Sequence, residues 1–150
     1  MNVSIIGGGG LVGSCAAFAL QAGGIVREIA LVDVNQELVE GQALDLLHGS
    51  SLTADQKIYA GGTELVKDSD VIVITAGLPR KPGMSRMDLL EVNAKIVKGV
   101  TEEVVRYSPD AVLIGVTNPL DQMTTLAADV AGFPRERVFG QAGILDSSRF

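Results

Sequence analysis

The fold is decided near the amino terminus by the stretch Gly7-Gly8-Gly9-Gly10-Leu11-Val12-Gly13. It follows an apolar run, Val3 to Ile6, that predicts a buried strand. It leads directly into Leu11 to Ala22, which predicts a helix. Glycine adopts turn conformations that other residues disfavour, and it allows two backbones to approach closely. The stretch therefore predicts a tight turn that connects a strand to a helix.

The glycines of this turn fit a phosphate-binding pattern in two registers. Gly8, Gly10 and Gly13 match G-x-G-x-x-G, and Gly7, Gly10 and Gly13 match G-x-x-G-x-x-G equally well. In both registers, backbone N–H groups and the positive end of the helix dipole face a pyrophosphate, and Gly13 lets the helix pack closely on the strand. A turn that is merely rich in glycine would show the same pattern, so the spacing alone leaves both the register and the ligand open.

An acidic residue at the end of the second strand favours a dinucleotide. Asp33 follows the apolar run Ile29 to Val32 and lies twenty residues after Gly13. A carboxylate at this place accepts hydrogen bonds from an adenine ribose, and its charge repels a 2′-phosphate. The spacing therefore predicts NAD rather than NADP. The alternative is that Asp33 only caps a helix or ends a strand in solvent.

Strands and helices alternate along the whole chain. Further strands are predicted at Val71–Thr75 and Val112–Val116, with weaker ones at Lys57–Ala60 and Val138–Gly140, and further helices at Glu37–Leu47, Met87–Tyr107 and Leu120–Ala131. Strands that are apolar throughout are typical of parallel sheets with both faces covered. We predict an α/β fold of the Rossmann type, a doubly wound parallel sheet of about six strands with helices on both faces. Residues 1–150 are expected to form one such domain.

The composition excludes several classes of function. Twelve basic and 18 acidic residues give a net charge of −6, which opposes binding to nucleic acid or an anionic membrane. The first residues resemble neither a signal peptide nor a membrane span, so we expect a cytoplasmic protein. We expect no metal site. The single cysteine, Cys15, lies in an apolar helical stretch and is predicted to be a small core residue.

A cationic segment follows the third strong strand. Arg80, Lys81 and Arg86 lie within seven residues of an otherwise acidic chain. Ligands bind at the carboxyl ends of parallel strands, and arginine binds carboxylates or phosphates through two hydrogen bonds. The segment therefore predicts a site for an anionic ligand, with a solvated loop as the alternative. Gly77 and Gly83 bracket it, as they would a hinged lid.

Polar residues also follow the next two strands. Asn118, in Thr117-Asn118-Pro119, is placed to bond a cofactor or a substrate, although Asn-Pro is also an ordinary start for a helix. Asp146 and Arg149 lie near the carboxyl end of the chain. The alternatives to a functional role are that Asp146 caps a helix and that Arg149 is an ordinary surface residue.

Taken together, these motifs resemble the amino-terminal half of the lactate/malate dehydrogenase family, and most closely its lactate-dehydrogenase-like malate dehydrogenases. The resemblance covers essentially all 150 residues. It rests on the glycine turn and on Ala30-Leu31-Val32-Asp33, Gly41-x-Ala43-x-Asp45-Leu46, Thr75-Ala76-Gly77, Arg80 to Arg86, Thr117 to Asp121, and Leu145 to Phe150. It implies reversible hydride transfer between NAD and a small 2-hydroxy acid, by a homodimer or homotetramer.

The resemblance also implies individual roles. Arg86 would polarise the substrate carbonyl, Arg149 would pair with the carboxylate at the reacting end, and Asn118 would contact both substrate and cofactor. The residues implied to hold NAD are Gly7, Gly8, Gly10, Leu11, Val12, Gly13, Asp33, Asn93, Val116 and Asn118.

Arg80 indicates which hydroxy acid is used. Malate dehydrogenases of this type carry arginine where lactate dehydrogenases usually carry glutamine, because oxaloacetate has a second carboxylate for a guanidinium to bind. Met84 agrees, since lactate enzymes tend to carry an acidic residue there. The resemblance thus favours malate, a dicarboxylate of the tricarboxylic acid cycle, with lactate as the alternative.

The family's catalytic histidine has no counterpart in these residues. Asp146 corresponds to the aspartate that orients it, but the only histidine, His48, lies where the family uses a residue for structure or subunit packing. The family places its histidine in a Gly-x-His-Gly segment beyond Phe150, in the substrate domain. We therefore expect the 150 residues to bind NAD without oxidising malate. A further alternative is an isolated NAD-binding module that catalyses nothing.

Overall fold

Six strands and five α-helices account for most of the chain. The computed structural model describes all 150 residues, Met1 to Phe150. The strands are β1 (Asn2–Ile6), β2 (Glu28–Val32), β3 (Lys57–Gly61), β4 (Val71–Ile74), β5 (Val112–Gly115) and β6 (Val138–Gly140). The helices are α1 (Leu11–Gly23), α2 (Gln36–Gly49), α3 (Arg86–Tyr107), α4 (Leu120–Ala131) and the short α5 (Gly143–Ser147), with 3₁₀ turns at Ser50–Leu52, Thr63–Val66 and Arg135–Arg137.

All six strands join one parallel sheet in the order β3-β2-β1-β4-β5-β6. Its two faces are buried beneath different helices. On one face, ten buried apolar side chains, among them Ile5 and Val39, pack beneath α1 and α2. On the other, a cluster of twelve includes Ile6, Val97 and Met123, beneath α3 and α4. The predicted doubly wound α/β fold with helices on both faces is confirmed.

The order of the strands brings four loops together at the carboxyl ends of the strands, namely those that follow β1, β2, β4 and β5. β1 lies between β2 and β4, so the chain winds outward in one direction and then in the other. Ile6, the last residue of β1, pairs with both Val32 and Ile74, and Ile74 pairs with Gly115. The loops that follow these strands therefore start side by side. Ligands of doubly wound sheets bind in the crevice that opens at this switch point.

One expectation about α1 is wrong. Cys15 is exposed rather than part of the core. The buried residues of α1 are Gly13, Ala17 and Gln21, which recur every four residues and so form the face toward the sheet. Cys15 lies on the opposite side of the helix. An apolar stretch of sequence does not show which side of the helix faces the sheet, so this exposure was not predictable from it. None of the helices combines the length and apolar character that crossing a membrane requires.

The contact between α1 and β1 depends on a glycine in the first turn of the helix. A Cβ built at Gly13 would overlap the carbonyl oxygen of Gly7, and it would lie 2.9 Å from the Cα of Gly8. Because both neighbours are backbone, a side chain at this position has to displace the helix or the turn.

We predict that Gly13→Ala destabilises the domain although alanine favours helices. The overlap should lower the free energy of unfolding by roughly 1–3 kcal/mol, as is typical of overpacked sites. Gly99→Ala is the matched control, because no atom lies within 4 Å of a Cβ there, in the interior of α3. The control should raise the free energy of unfolding by about 0.5–1 kcal/mol. Urea denaturation measures both, and the same effect for the two variants would contradict the packing proposed for Gly13.

Candidate functional site

The glycine turn begins at Gly7, a position that only glycine suits. Gly7 has φ of +88°, and a Cβ there would lie 2.7 Å from Oγ1 of Thr75. The N–H groups of Gly7 and Gly8 both donate to the carbonyl of Val32, at 2.8 and 3.0 Å. The N–H of Gly10 then donates to the carbonyl of Gly7 at 3.0 Å and closes the turn. The turn is thereby fixed to the end of β2.

Gly8 and Gly10 differ in how much room a side chain would have. A Cβ on Gly8 would lie 2.9 Å from Cβ of Leu31, so Gly8 is needed for close packing on β2. A Cβ on Gly10 would meet only the carbonyl oxygen of Gly7, at 3.3 Å. The hydrogen-bonded turn runs from Gly7 to Gly10 and is followed by Gly13. Because Gly7 and Gly8 are both constrained to glycine, the structure is compatible with both registers.

The amino terminus of α1 offers unpaired hydrogen-bond donors. Its N-cap is Gly10, which has no side chain to bond the helix, and its first turn contains no acidic residue. Leu11 and Val12 are the first helical residues, so their N–H groups have no acceptor within the helix. Such an end carries partial positive charge and attracts anions. The arrangement fits the pyrophosphate of a dinucleotide.

The carboxylate of Asp33 is held beside this turn. Its Oδ2 accepts the N–H of Gly9 at 3.0 Å, and its Oδ1 accepts the N–H of Asn35 at 3.1 Å. The cap of α2 is Asn35, whose own side chain accepts the N–H of Leu38, so Asp33 does not cap that helix directly. A fixed negative charge therefore lies next to the glycine turn.

A cleft of about 540 Å³ opens between the glycine turn, the segment after β4 and the end of β5. Nine of the predicted site residues line it: Gly7, Gly10, Leu11, Val12, Gly13, Arg80, Asn93, Val116 and Asn118. The other six lining residues have no binding role predicted from their sequence motifs; they are Thr75, Gly77, Leu78, Pro79, Leu89 and Thr117. Their position directly after β4 and β5 was the signal that could have identified most of them.

Five predicted site residues do not line this cleft: Gly8, Asp33, Arg86, Asp146 and Arg149. Arg86 is the first residue of α3, one residue earlier than the predicted start of that helix. Asp146 and Arg149 are both exposed and form an ion pair with each other at 3.5 Å. His48, in the last turn of α2, is also outside the lining.

Arg80 belongs to a segment that folds back on itself. Its Nε donates to the carbonyl of Met84 at 3.0 Å, and the N–H of Met84 donates to the carbonyl of Lys81 at 3.1 Å. Gly83 supports this bend with φ of +86°, and a Cβ there would meet no atom within 4 Å. The bend orients the guanidinium of Arg80 through Nε, and its Nη groups make no hydrogen bond within the chain.

The glycine at position 77, which we expected to serve as a hinge, is explained by close packing. A Cβ at Gly77 would lie 2.6 Å from Cγ2 of Thr117 and 3.3 Å from Oδ1 of Asn93. Its φ lies outside the left-handed region, unlike that of Gly83. Gly77 is therefore needed for close packing after β4, and the segment is held at this end.

The other end of the segment is held by a capping box at the start of α3. The N–H of Ser85 donates to Oδ2 of Asp88 at 2.8 Å, and the N–H of Asp88 donates to Oγ of Ser85 at 3.1 Å. The backbone hydrogen bond from Ser85, followed by that of its side chain, lowers the pKa of Asp88 from 3.8. Since the folded-state pKa is depressed, the carboxylate's contribution to the cap is fully present above the ordinary pKa of 3.8 and is lost as the pH falls through the lowered value.

Residues 1–140 match the sequence profile described as lactate/malate dehydrogenase, NAD binding domain. The chain belongs to the lactate/malate dehydrogenase family. This confirms the resemblance that the sequence motifs indicated and identifies the domain as one that binds NAD. The family consists of NAD-dependent oxidoreductases.

Individual family members agree with this assignment. The chain is 47% identical over 150 residues to malate dehydrogenase from Nitratiruptor sp., covering 99% of this chain and 47% of that protein. It is 43% identical over 149 residues to L-lactate dehydrogenase 1 from Clostridium acetobutylicum, covering 99% and 47% of the two chains. The chain therefore spans about half the length of the curated relatives it matches.

A solved member of the family has the same fold with the cofactor present. Malate dehydrogenase from Archaeoglobus fulgidus in complex with NADH superposes with a TM-score of 0.92 at 42% identity, covering 99% of this chain and 51% of that one. The family's cofactor thus fits the features of the glycine turn: free N–H groups at the start of α1 and a carboxylate at the end of β2.

We predict that Asp33→Ser relaxes the preference for NADH over NADPH. Loss of the negative charge removes repulsion of a 2′-phosphate, and we expect the ratio of the two dissociation constants to move toward NADPH by about tenfold, or about 1.4 kcal/mol. Fluorescence titration of the reduced cofactors measures both constants. Asp45→Ser, on the exposed side of α2, is the control for charge alone. An unchanged ratio in Asp33→Ser would place the ribose contact elsewhere.

Proposed function

We propose that residues 1–150 are the NAD-binding domain of a malate dehydrogenase, which reversibly oxidises (S)-malate to oxaloacetate. The observation that carries this proposal is the charge of the cleft. Arg80 is the only charged residue among the fifteen that line it. A lone guanidinium in an otherwise uncharged cleft favours an anionic substrate group, and it binds a carboxylate through two parallel hydrogen bonds.

The number of carboxylates separates the two substrates known for the family's members. Malate and oxaloacetate carry a second carboxylate that lactate and pyruvate lack. A site built to hydrogen-bond a polar group discriminates strongly against an analogue without it, because its own polar groups are then left unpaired. The names of the relatives are divided between the two activities, so Arg80 is the feature on which the choice of malate rests.

The remaining substrate roles are assigned to Arg86, Arg149 and Asn118, of which only Asn118 lines the cleft. We assign polarisation of the substrate carbonyl to Arg86, which begins α3 directly after the segment that contains Arg80. Arg149 would pair with the carboxylate at the reacting carbon, after exchanging its exposed contact with Asp146 for the substrate. Asn118, exposed at the edge of the cleft, would contact both substrate and cofactor.

The cofactor roles follow the geometry of the turn. NAD, when bound, supplies the acceptor for the hydride. The N–H groups of Leu11 and Val12 would bind its pyrophosphate, Gly10 would leave room for it, and Asp33 would bind the adenine ribose. The backbone at Val116 would complete the nicotinamide end of the cleft.

The proton acceptor is assigned to a separate substrate domain. The fifteen lining residues include no histidine, cysteine or carboxylic acid, and His48 lies on α2 outside the cleft. Asp146, with its exposed carboxylate, would then orient a histidine supplied by that domain. On this proposal the 150 residues bind NAD, and malate oxidation requires the complete enzyme.

We predict that Arg80→Gln in the complete enzyme changes substrate choice. Loss of a charge-assisted bidentate contact should lower kcat/KM for oxaloacetate roughly 10- to 100-fold, whereas kcat/KM for pyruvate should change by less than about threefold. Steady-state kinetics with both substrates and NADH measures this difference. Lys81→Gln is the matched control, because Lys81 is an exposed neighbouring cation that does not line the cleft. Equal losses for both substrates, or the same effect from Lys81→Gln, would refute the role of Arg80.

A further inference from the structure

The hydroxyl of Thr75 connects the glycine turn to the neighbouring strand. Thr75 follows β4 directly, and its Oγ1 donates to the carbonyls of Ile6 at 2.9 Å and Gly7 at 3.2 Å. The carbonyl of Ile6 also accepts the backbone N–H of Thr75, at 2.8 Å. The carbonyl of Gly7 accepts no backbone N–H from this segment, so the hydroxyl is its one hydrogen bond to the residues after β4.

The backbone of Gly7 and the side chain of Thr75 fit together closely. A Cβ on Gly7 would lie 2.7 Å from Oγ1 of Thr75 and 2.8 Å from the backbone N of Ala76. Gly7 has no side chain to hold it in place, and its φ of +88° lies in a region that few other residues adopt. The position of its carbonyl therefore depends on two donors, the N–H of Gly10 within the turn and the hydroxyl of Thr75 outside it.

The carbonyl of Gly7 in turn determines where α1 begins. The N–H of Gly10, the N-cap of α1, donates to it at 3.0 Å, and Gly13 packs against it without room for a Cβ. Leu11 and Val12 lie between these two contacts in the chain, and their N–H groups have no acceptor within the helix. A change at Thr75 should therefore reach these free N–H groups through Gly7.

We infer that Thr75 is a positioning residue for NAD binding: its hydroxyl holds the carbonyl of Gly7 so that the first N–H groups of α1 face the pyrophosphate. The inference rests on the proposed binding of pyrophosphate by Leu11 and Val12, and it is independent of the choice between malate and lactate. It requires that loss of the hydroxyl alters the turn before any cofactor is added. It also requires that every ligand carrying the pyrophosphate is affected.

Two substitutions separate the hydroxyl from the rest of the side chain. Thr75→Val removes the hydroxyl with little change in size, and Thr75→Ser keeps it. Because the carbonyl of Gly7 loses one of its two donors, we expect NADH to bind the valine variant about three- to tenfold more weakly. ADP-ribose, which has the pyrophosphate but no nicotinamide, should lose affinity by the same factor. The serine variant should restore most of the lost affinity for both ligands, as measured by isothermal titration calorimetry.

Thr101→Val is the matched control. Thr101 is buried on α3 and outside the cleft lining, and its hydroxyl donates to the carbonyl of Val97 in the same helix at 2.7 Å. This variant also loses a threonine hydroxyl, but its affinity for NADH should not change. In the cofactor-free chain, Thr75→Val should shift the backbone amide resonances of residues 7–13, whereas Thr101→Val should leave them in place.

Several results would overturn the inference. They are unchanged NADH affinity in Thr75→Val, weaker binding of NADH without weaker binding of ADP-ribose, and weaker binding while the resonances of residues 7–13 stay unmoved in the free chain. The same loss of affinity in Thr101→Val, or no recovery in Thr75→Ser, would do so as well.

A further measurement uses the unaltered chain and so does not depend on the folding of a variant. Scalar couplings from Cγ2 of Thr75 to its backbone N and carbonyl C report the χ1 angle. They should show a single rotamer in the free chain and the same rotamer with NADH, and averaging among rotamers in the free chain would contradict the inference. Failure of the proposed pyrophosphate site looks different: NADH would bind the unaltered chain without shifting the amides of Leu11 and Val12.

Discussion

The carbonyl oxygen of Gly7 is the point at which β1, α1 and β4 come together. It accepts the N–H of Gly10 at 3.0 Å and the hydroxyl of Thr75 at 3.2 Å. It also occupies the space in which a Cβ on Gly13 would lie. Because α1 approaches β1 closely at this contact, packing fixes the direction of its first N–H groups. The anion site at the start of α1 is a consequence of the way the helix is seated.

The other loops of the cleft are fixed in a similar manner, by side chains that bond the backbone of a neighbouring segment. Thr75 joins β4 to the glycine turn, Thr117 joins β5 to the segment after β4, and Asn93 joins α3 to both later loops. These bonds cross between elements that are distant in sequence. They hold the cleft's backbone in place without cofactor, which reduces the ordering that binding would otherwise require.

The fold was predictable from local patterns because apolar runs and turn residues specify strands and helices directly. The sequence also indicated the glycine turn, Asp33 and the cationic segment, since each lies just after a predicted strand. The separate reasons for the glycines were not predictable, because they depend on the left-handed φ of Gly7 and on the contact between Gly8 and Leu31. The exposure of Cys15 required knowledge of which side of α1 meets the sheet.

The most direct test of a preformed NAD cleft at the carboxyl edge of the sheet is titration of NADH into the ¹⁵N-labelled chain, followed by backbone NMR. We expect the largest shifts at residues 10–13, where the turn meets α1, with further shifts at 77–78 and 116–118. Amides in the groove between α1 and α2, around Phe18 and Gln42, should change little. Shifts concentrated in that groove, with residues 10–13 unaffected, would contradict the account.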